Sequence, residues 1–134
     1  MNVEIQKNNK ENKRFSLVAR IRSANHAWRG LGILLKATPN IWMHLFFALA
    51  VVALGFILCI SQIEWLFIVL SIGFVLVSET FNTAIEIDID LTSPEYHPYA
   101  RDTKDVAAGA VLLAVLFAVI VGVIIFVPKL VLLI

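Results

Sequence analysis

Apolar positions along the chain gather into three uncharged runs, residues 37–63, 65–78 and 106–128, the last two closed by Glu79 and Lys129. A helix needs about 20 mostly apolar residues to cross the hydrocarbon of a membrane. The first and third runs meet that length directly. The second meets it only if its helix continues through the acidic stretch that follows, to about residue 87. The pattern therefore predicts three transmembrane helices, over about 41–60, 65–87 and 106–128.

Ahead of them the period changes. Leu17, Ile21, Ala24, Trp28, Leu31 and Leu35 recur at spacings of three and four, which lines one face of a helix. At about 100° per residue, Arg22, Arg29 and Lys36 form a separate basic line about 120° from the centre of that stripe. An amphipathic surface helix over about 14–36 is expected, its apolar face at the acyl boundary and its basic line toward headgroups or phosphates. Residues 1–13 carry too little apolar content to pack and are expected to form a disordered tail. They lack the apolar core and cleavage site of a signal peptide, so the chain is expected to act at full length.

Punctuation follows the same blocks. Pro39 in "ATPN" disfavours a helical conformation at Thr38 and separates the surface helix from the first span. "SQIE" at 61–64 reads as a short turn. Pro94 and Pro98 break residues 88–105 into a polar loop, with Ser93 a candidate cap for a short helical turn. The third span opens on "AAGA", residues 107–110, small side chains that let another helix approach closely.

Composition agrees with the pattern. Of 134 residues 60% are hydrophobic, with a mean hydropathy of +0.86, against roughly 45–50% apolar for soluble domains. The fold class is all-α integral membrane, with residues 14–134 forming a single domain. The net charge of +1 is uninformative, but eight of the eleven Lys and Arg precede residue 37. That bias, with Arg101 and Lys104 in the second loop, puts the N-terminus and the 88–105 loop on the cytoplasmic side. Cys59, the only cysteine, can form no internal disulfide and reads as a buried small hydrophobe.

The chemistry lies in "SETFNTAIEIDID", residues 78–90. At about 100° per residue, Glu79, Asn82, Glu86 and Asp90 fall within about 80° of one another, with Thr83 beside them and Asp88 on the opposite side as a solvated acid. An ionised carboxylate near the middle of a membrane helix costs about 2.5 to 3.5 kcal/mol on insertion scales. The stripe should therefore face protein, water or a cation. It suits a divalent cation held by oxygen ligands, proton abstraction by a desolvated carboxylate, or ion and proton translocation, and residue spacing does not separate these three. Generic nucleotide-binding motifs and zinc-ligand spacings are absent. His26, His44 and His97 are scattered and read as structural or interfacial.

The stretch "ETFNTAIEIDIDLTSPEYHPYARDTKDVAAGAVLLA", residues 79–114, resembles the small integral membrane lipid kinases of the prokaryotic diacylglycerol and undecaprenol kinase family. The motifs are E-x-x-N-[ST]-A-I-E, the following Asp, S-P-E-Y-H, and K-D ahead of a small-residue helix. The likeness extends back through "AWRGL" at 27–31. It implies a homotrimer with composite sites between subunits, and transfer of the ATP γ-phosphoryl group to a lipid hydroxyl with Mg²⁺, at the cytoplasmic face of an inner or plasma membrane. On this resemblance Glu79 takes the proton from the lipid hydroxyl and Glu86 coordinates metal. Asn82 and Lys104 match positions near the phosphates. Asp90, Glu95, His97 and Asp105 match positions that shape the nucleotide site, and Arg22 and Arg29 match basic positions on the surface helix.

"SPEYHP" leans toward undecaprenol over diacylglycerol as acceptor, and no nucleic-acid partner is expected. One departure stands out. Where the family has a second metal-binding glutamate, in a K-T-E-R-N-like stretch, this chain has "KATPN", with Thr38 in the glutamate's place and Trp42 where a basic residue is common. The alternative is a catalytically weakened family member acting as a binding or regulatory membrane protein. A transporter or proton relay has only the intramembrane acids in its favour.

Overall fold

A computed structural model describes residues 17–132, and the tail expected at 1–13 lies outside them. Four helices follow in order: α1 Leu17–Ala37, α2 Asn40–Ile57, α3 Gln62–Thr92 and α4 Pro98–Val131. No strand occurs among the described residues. The last three helices are long and apolar enough to cross a membrane. The chain divides into two compact units at Ile33–Leu34, within α1. In the first, Arg22 and Arg29 are exposed on the helix.

In the second unit α3 is the central element, packed along α4 and, over a shorter length, against α2. Ala114, fully buried, and Ala107 let α4 come close to α3, as small residues do between membrane helices. At the end of the bundle away from the acidic stripe, Ile60, Ile68, Val121, Ile125 and Phe126 form the apolar core.

The helix bounds differ from the sequence expectation at three places. "SQIE" is not a free turn but a capping box: Ser61 Oγ accepts from Glu64 N–H at 3.3 Å and Glu64 Oε2 accepts from Ser61 N–H at 2.6 Å. The two side chains satisfy backbone donors that the first turn of α3 leaves open. Glu64 also pairs with Lys129 at 3.2 Å, tying the start of α3 to the end of α4.

The polar loop expected over 88–105 shrinks to residues 93–97. Ser93 ends α3, where its N–H bonds Ile89 O, and does not cap a following turn. His97 starts α4, its Nδ1 accepting from Tyr99 N–H, with Pro98 at the first helical position. Proline's fixed φ suits that position, and a helix held by its neighbour continues past the point where its sequence turns polar. Finally, Cys59 is exposed, not buried. It turns the chain out of α2 with φ 48°, the one non-glycine in the left-handed region among the described residues.

Beside that turn the packing is tight. A Cβ on Gly55 would meet Trp65 Cη2 at 2.9 Å and Ile60 Cδ1 at 3.1 Å, and the Trp65 ring itself packs against Phe56, centroids 4.8 Å apart and planes tilted by 52°. Overpacking of this kind costs about 1–3 kcal/mol, more than the about 1 kcal/mol that alanine gains over glycine in a helix. Gly55→Ala is expected to lower the midpoint of thermal unfolding in detergent micelles; an unchanged or raised midpoint would mean that the indole yields freely.

Candidate functional site

The stripe predicted on the second span lies on the C-terminal half of α3, and burial falls along it toward the helix end. Glu79 is 1% exposed, Asn82 5% and Thr83 4%, Glu86 is half-buried, and Asp90 and Asp88 are exposed. Positions three and four apart share a helix face, so the side chains step outward from a closed interior toward water.

Asn82 Nδ2 donates to Glu86 Oε1 at 3.0 Å, which orients the amide and the carboxylate against each other. Its Oδ1 is buried without a protein partner, and so is Glu79 Oε1. An unpartnered buried oxygen loses its hydration with nothing in return. Two of them on one stripe mark a place built to receive a donor or a cation.

Glu79 Oε2 faces His44 Nε2 of α2 at 3.8 Å. Sequence reading assigned His44 no chemical part. The signal was present all the same, since an ionisable side chain inside an apolar span is a functional candidate by default.

Thr38, between α1 and α2, is buried, and its Oγ1 lies 2.8 Å from Thr83 Oγ1. Thr83 Oγ1 in turn donates to Glu79 O at 2.9 Å. A hydroxyl has one proton, so Thr38 is the donor in the pair. Where the family resemblance puts a carboxylate, this chain has a hydroxyl whose proton is committed to α3.

The remaining predicted residues gather at the short loop. A cavity of about 290 Å³ is lined by Asp90, Glu95, His97, Arg101, Lys104 and Asp105 among others. Lys104 Nζ bonds Asp90 Oδ1, and Arg101 pairs with Asp105 one turn on at 3.5 Å. Asp90 thus belongs to both groups, ending the stripe and walling the cavity. Among the described residues no three His, Cys, Asp or Glu side chains converge as a ready metal cage.

Residues 25–126 match the prokaryotic diacylglycerol kinase family. The chain is 41% identical over 109 residues to the undecaprenol kinase of Bacillus subtilis, covering 81% of this chain and 89% of that protein. It is 38% identical over 109 residues to the diacylglycerol kinase of Synechocystis sp., covering 81% and 62%. Identity to the diacylglycerol kinase of Escherichia coli is 29% over 100 residues, covering 75% and 82%.

The hydroxyl chain from Thr38 through Thr83 to the Glu79 carbonyl generates a stability test. Thr38→Val removes one interhelical hydrogen bond and should cost about 0.5 to 1 kcal/mol. In a double-mutant cycle with Thr83→Val, read by thermal unfolding in micelles, the double variant should lose less than the sum of the singles. Strict additivity would show that the two hydroxyls are not coupled.

Proposed function

The chain belongs to the prokaryotic diacylglycerol kinase family, and from that membership we propose that it transfers the γ-phosphoryl group of ATP to the hydroxyl of a membrane lipid. Undecaprenol is favoured over diacylglycerol as the acceptor, on the "SPEYHP" loop and the likeness to the Bacillus subtilis undecaprenol kinase. The observation that carries the reading is the carboxylate of Glu79, sealed from water on a membrane helix with Oε1 free of any protein partner.

In this reading the acceptor hydroxyl gives its proton to Glu79 Oε1 while its oxygen bonds the γ-phosphorus. The bond from that phosphorus to the β,γ-bridging oxygen breaks, and ADP leaves with the electron pair. Phosphoryl transfer of this kind depends on positioning and charge neutralisation. Asn82 orients Glu86 through its amide, and Lys104, with Asp90, Glu95, His97 and Asp105 around it, bounds the cavity that takes the nucleotide. Arg22 and Arg29 on the surface helix meet headgroups or phosphates.

The donors at the stripe are oxygens only: the Glu86 carboxylate and the orphaned Asn82 Oδ1. That set fits Mg²⁺, which is usually bound by one or two carboxylates and completed by substrate phosphates and water. When bound, Mg²⁺ supplies neutralisation of charge on the β- and γ-phosphoryl oxygens. The N-terminus and the 93–97 loop face the cytoplasm, following the excess of Lys and Arg at those ends. A homotrimer is proposed on family membership alone. Thr38 in place of a carboxylate favours a second reading, a weakened kinase kept for binding or regulation.

Labelled ATP, Mg²⁺ and purified protein, given undecaprenol or diacylglycerol in mixed micelles, should put label into lipid, faster into undecaprenol; label in neither overturns the proposal for both acceptors. Glu79→Gln should cut turnover about 10²- to 10⁴-fold, the scale of a lost general base, and wild-type turnover would remove Glu79 from that role. Thr38→Glu should lower the Mg²⁺ concentration needed for half-maximal rate, whereas an unchanged requirement would place metal affinity elsewhere.

A further inference from the structure

Resting on the assignment of Glu79 as base, we infer that His44 is the positioning residue that holds the Glu79 carboxylate ready for the acceptor hydroxyl. The two side chains come from different helices, α2 and α3, and meet where both are largely buried, at 16% and 2% side-chain exposure. His44 Nε2 faces Oε2 at 3.8 Å, and Oε1 is fully buried with no hydrogen-bond partner. A carboxylate free to rotate presents either oxygen in any direction. One tethered through Oε2 keeps Oε1 as its fixed proton acceptor.

Glu86 of the same helix is a like charge that repels Glu79 and gives no support. Among the described residues no basic group of α4 comes within ion-pair distance of Glu79: Lys104 is paired to Asp90, Arg101 to Asp105 and Lys129 to Glu64. Among the described residues His44 is therefore the one basic side chain that comes within 4 Å of this carboxylate.

Its surroundings strengthen that part. On its other side His44 lines an apolar cavity of about 360 Å³ with Phe47, Val75, Ala118 and Phe126 among its walls, so few polar groups compete for the imidazole. An N–H to carboxylate contact gains strength in such low-dielectric surroundings. At 3.8 Å the two groups stand farther apart than a hydrogen bond. Catalytic hydrogen bonds often stand long before substrate binds and tighten in the reacting complex. Closing this one by a fraction of an ångström aligns the base.

The test uses the full chain in mixed micelles with the acceptor that it phosphorylates. His44→Leu should lower kcat about 10- to 100-fold, the scale of losing an orienting partner, with KM for ATP and lipid unchanged. His44→Gln, which keeps an N–H donor near the Nε2 position, should restore most of the rate, and it also decides the matter if the leucine variant fails to fold. In a Glu79→Gln background neither substitution should lower kcat further, because the base they position is gone. Wild-type kcat in His44→Leu, equal losses in both His44 variants, or losses that multiply with that of Glu79→Gln overturn the inference. Wild-type turnover in Glu79→Gln alone overturns the base assignment instead, so the two failures are told apart.

Discussion

A carboxyl group carried on a membrane helix must be closed off from lipid and still be given something polar to face, and the second unit of this protein is arranged around meeting that demand for Glu79. The side chain is 1% exposed, so neighbouring helices and not water surround it. α2 brings His44 to one carboxylate oxygen. The junction before α2 brings Thr38 to Thr83, whose hydroxyl doubles the hydrogen bonding of the Glu79 carbonyl. Asn82 and Glu86, the next polar groups on the same face, bond each other. An isolated acid would be an insertion penalty without return. Set among these partners it sits in a closed place away from water.

The length of α3 serves the same arrangement. Its 31 residues at 1.5 Å each span about 46 Å, against about 30 Å of hydrocarbon. The helix must leave the membrane, and it does so through the acidic end. Acids in a last turn oppose the helix dipole, and α3 has no basic residue there. Lys104 of α4 offsets this by pairing with Asp90, which draws the start of α4 against the end of α3 and leaves a loop of five residues between them. Glu64 and Lys129 make the corresponding tie at the opposite end. Two ion pairs, one at each end, hold the α3–α4 pair in register while its middle stays apolar.

The three spans, the surface helix and the acidic stripe were legible because each is a periodic or compositional property of consecutive residues. Even the outward gradient of burial from Glu79 to Asp90 follows from a stripe running toward a helix end. What escaped depended on partners distant in sequence, or on one residue type having two readings. His44 is 35 positions from Glu79, and nothing local links them. "SQIE" carries the S-x-x-E spacing of a capping box but also looks like a polar turn between spans. The residues before Val106 looked like loop because they are polar, yet polarity marks the exit from lipid and not the end of a helix. Cys59 looked buried by type, whereas its place in a left-handed turn puts it at the surface.

The exchange at position 38 changes the physics of the site more than its shape. A carboxylate there would add a negative charge beside Thr83, one turn from Glu79 on the same helix. A threonine is neutral, and its proton is already committed to Thr83 of α3, so no charge is carried at this buried position. The polar groups nearest the Glu79 carboxylate are then His44 of α2, at 3.8 Å, and the like charge of Glu86 on its own helix. On the kinase reading, a nucleotide bringing its own metal enters a site with less fixed negative charge to repel its phosphates, and with fewer protein ligands to hold the metal afterwards. On the same reading, weaker metal affinity and easier release of the spent nucleotide follow from one substitution, and the proposed base at Glu79 is left in place.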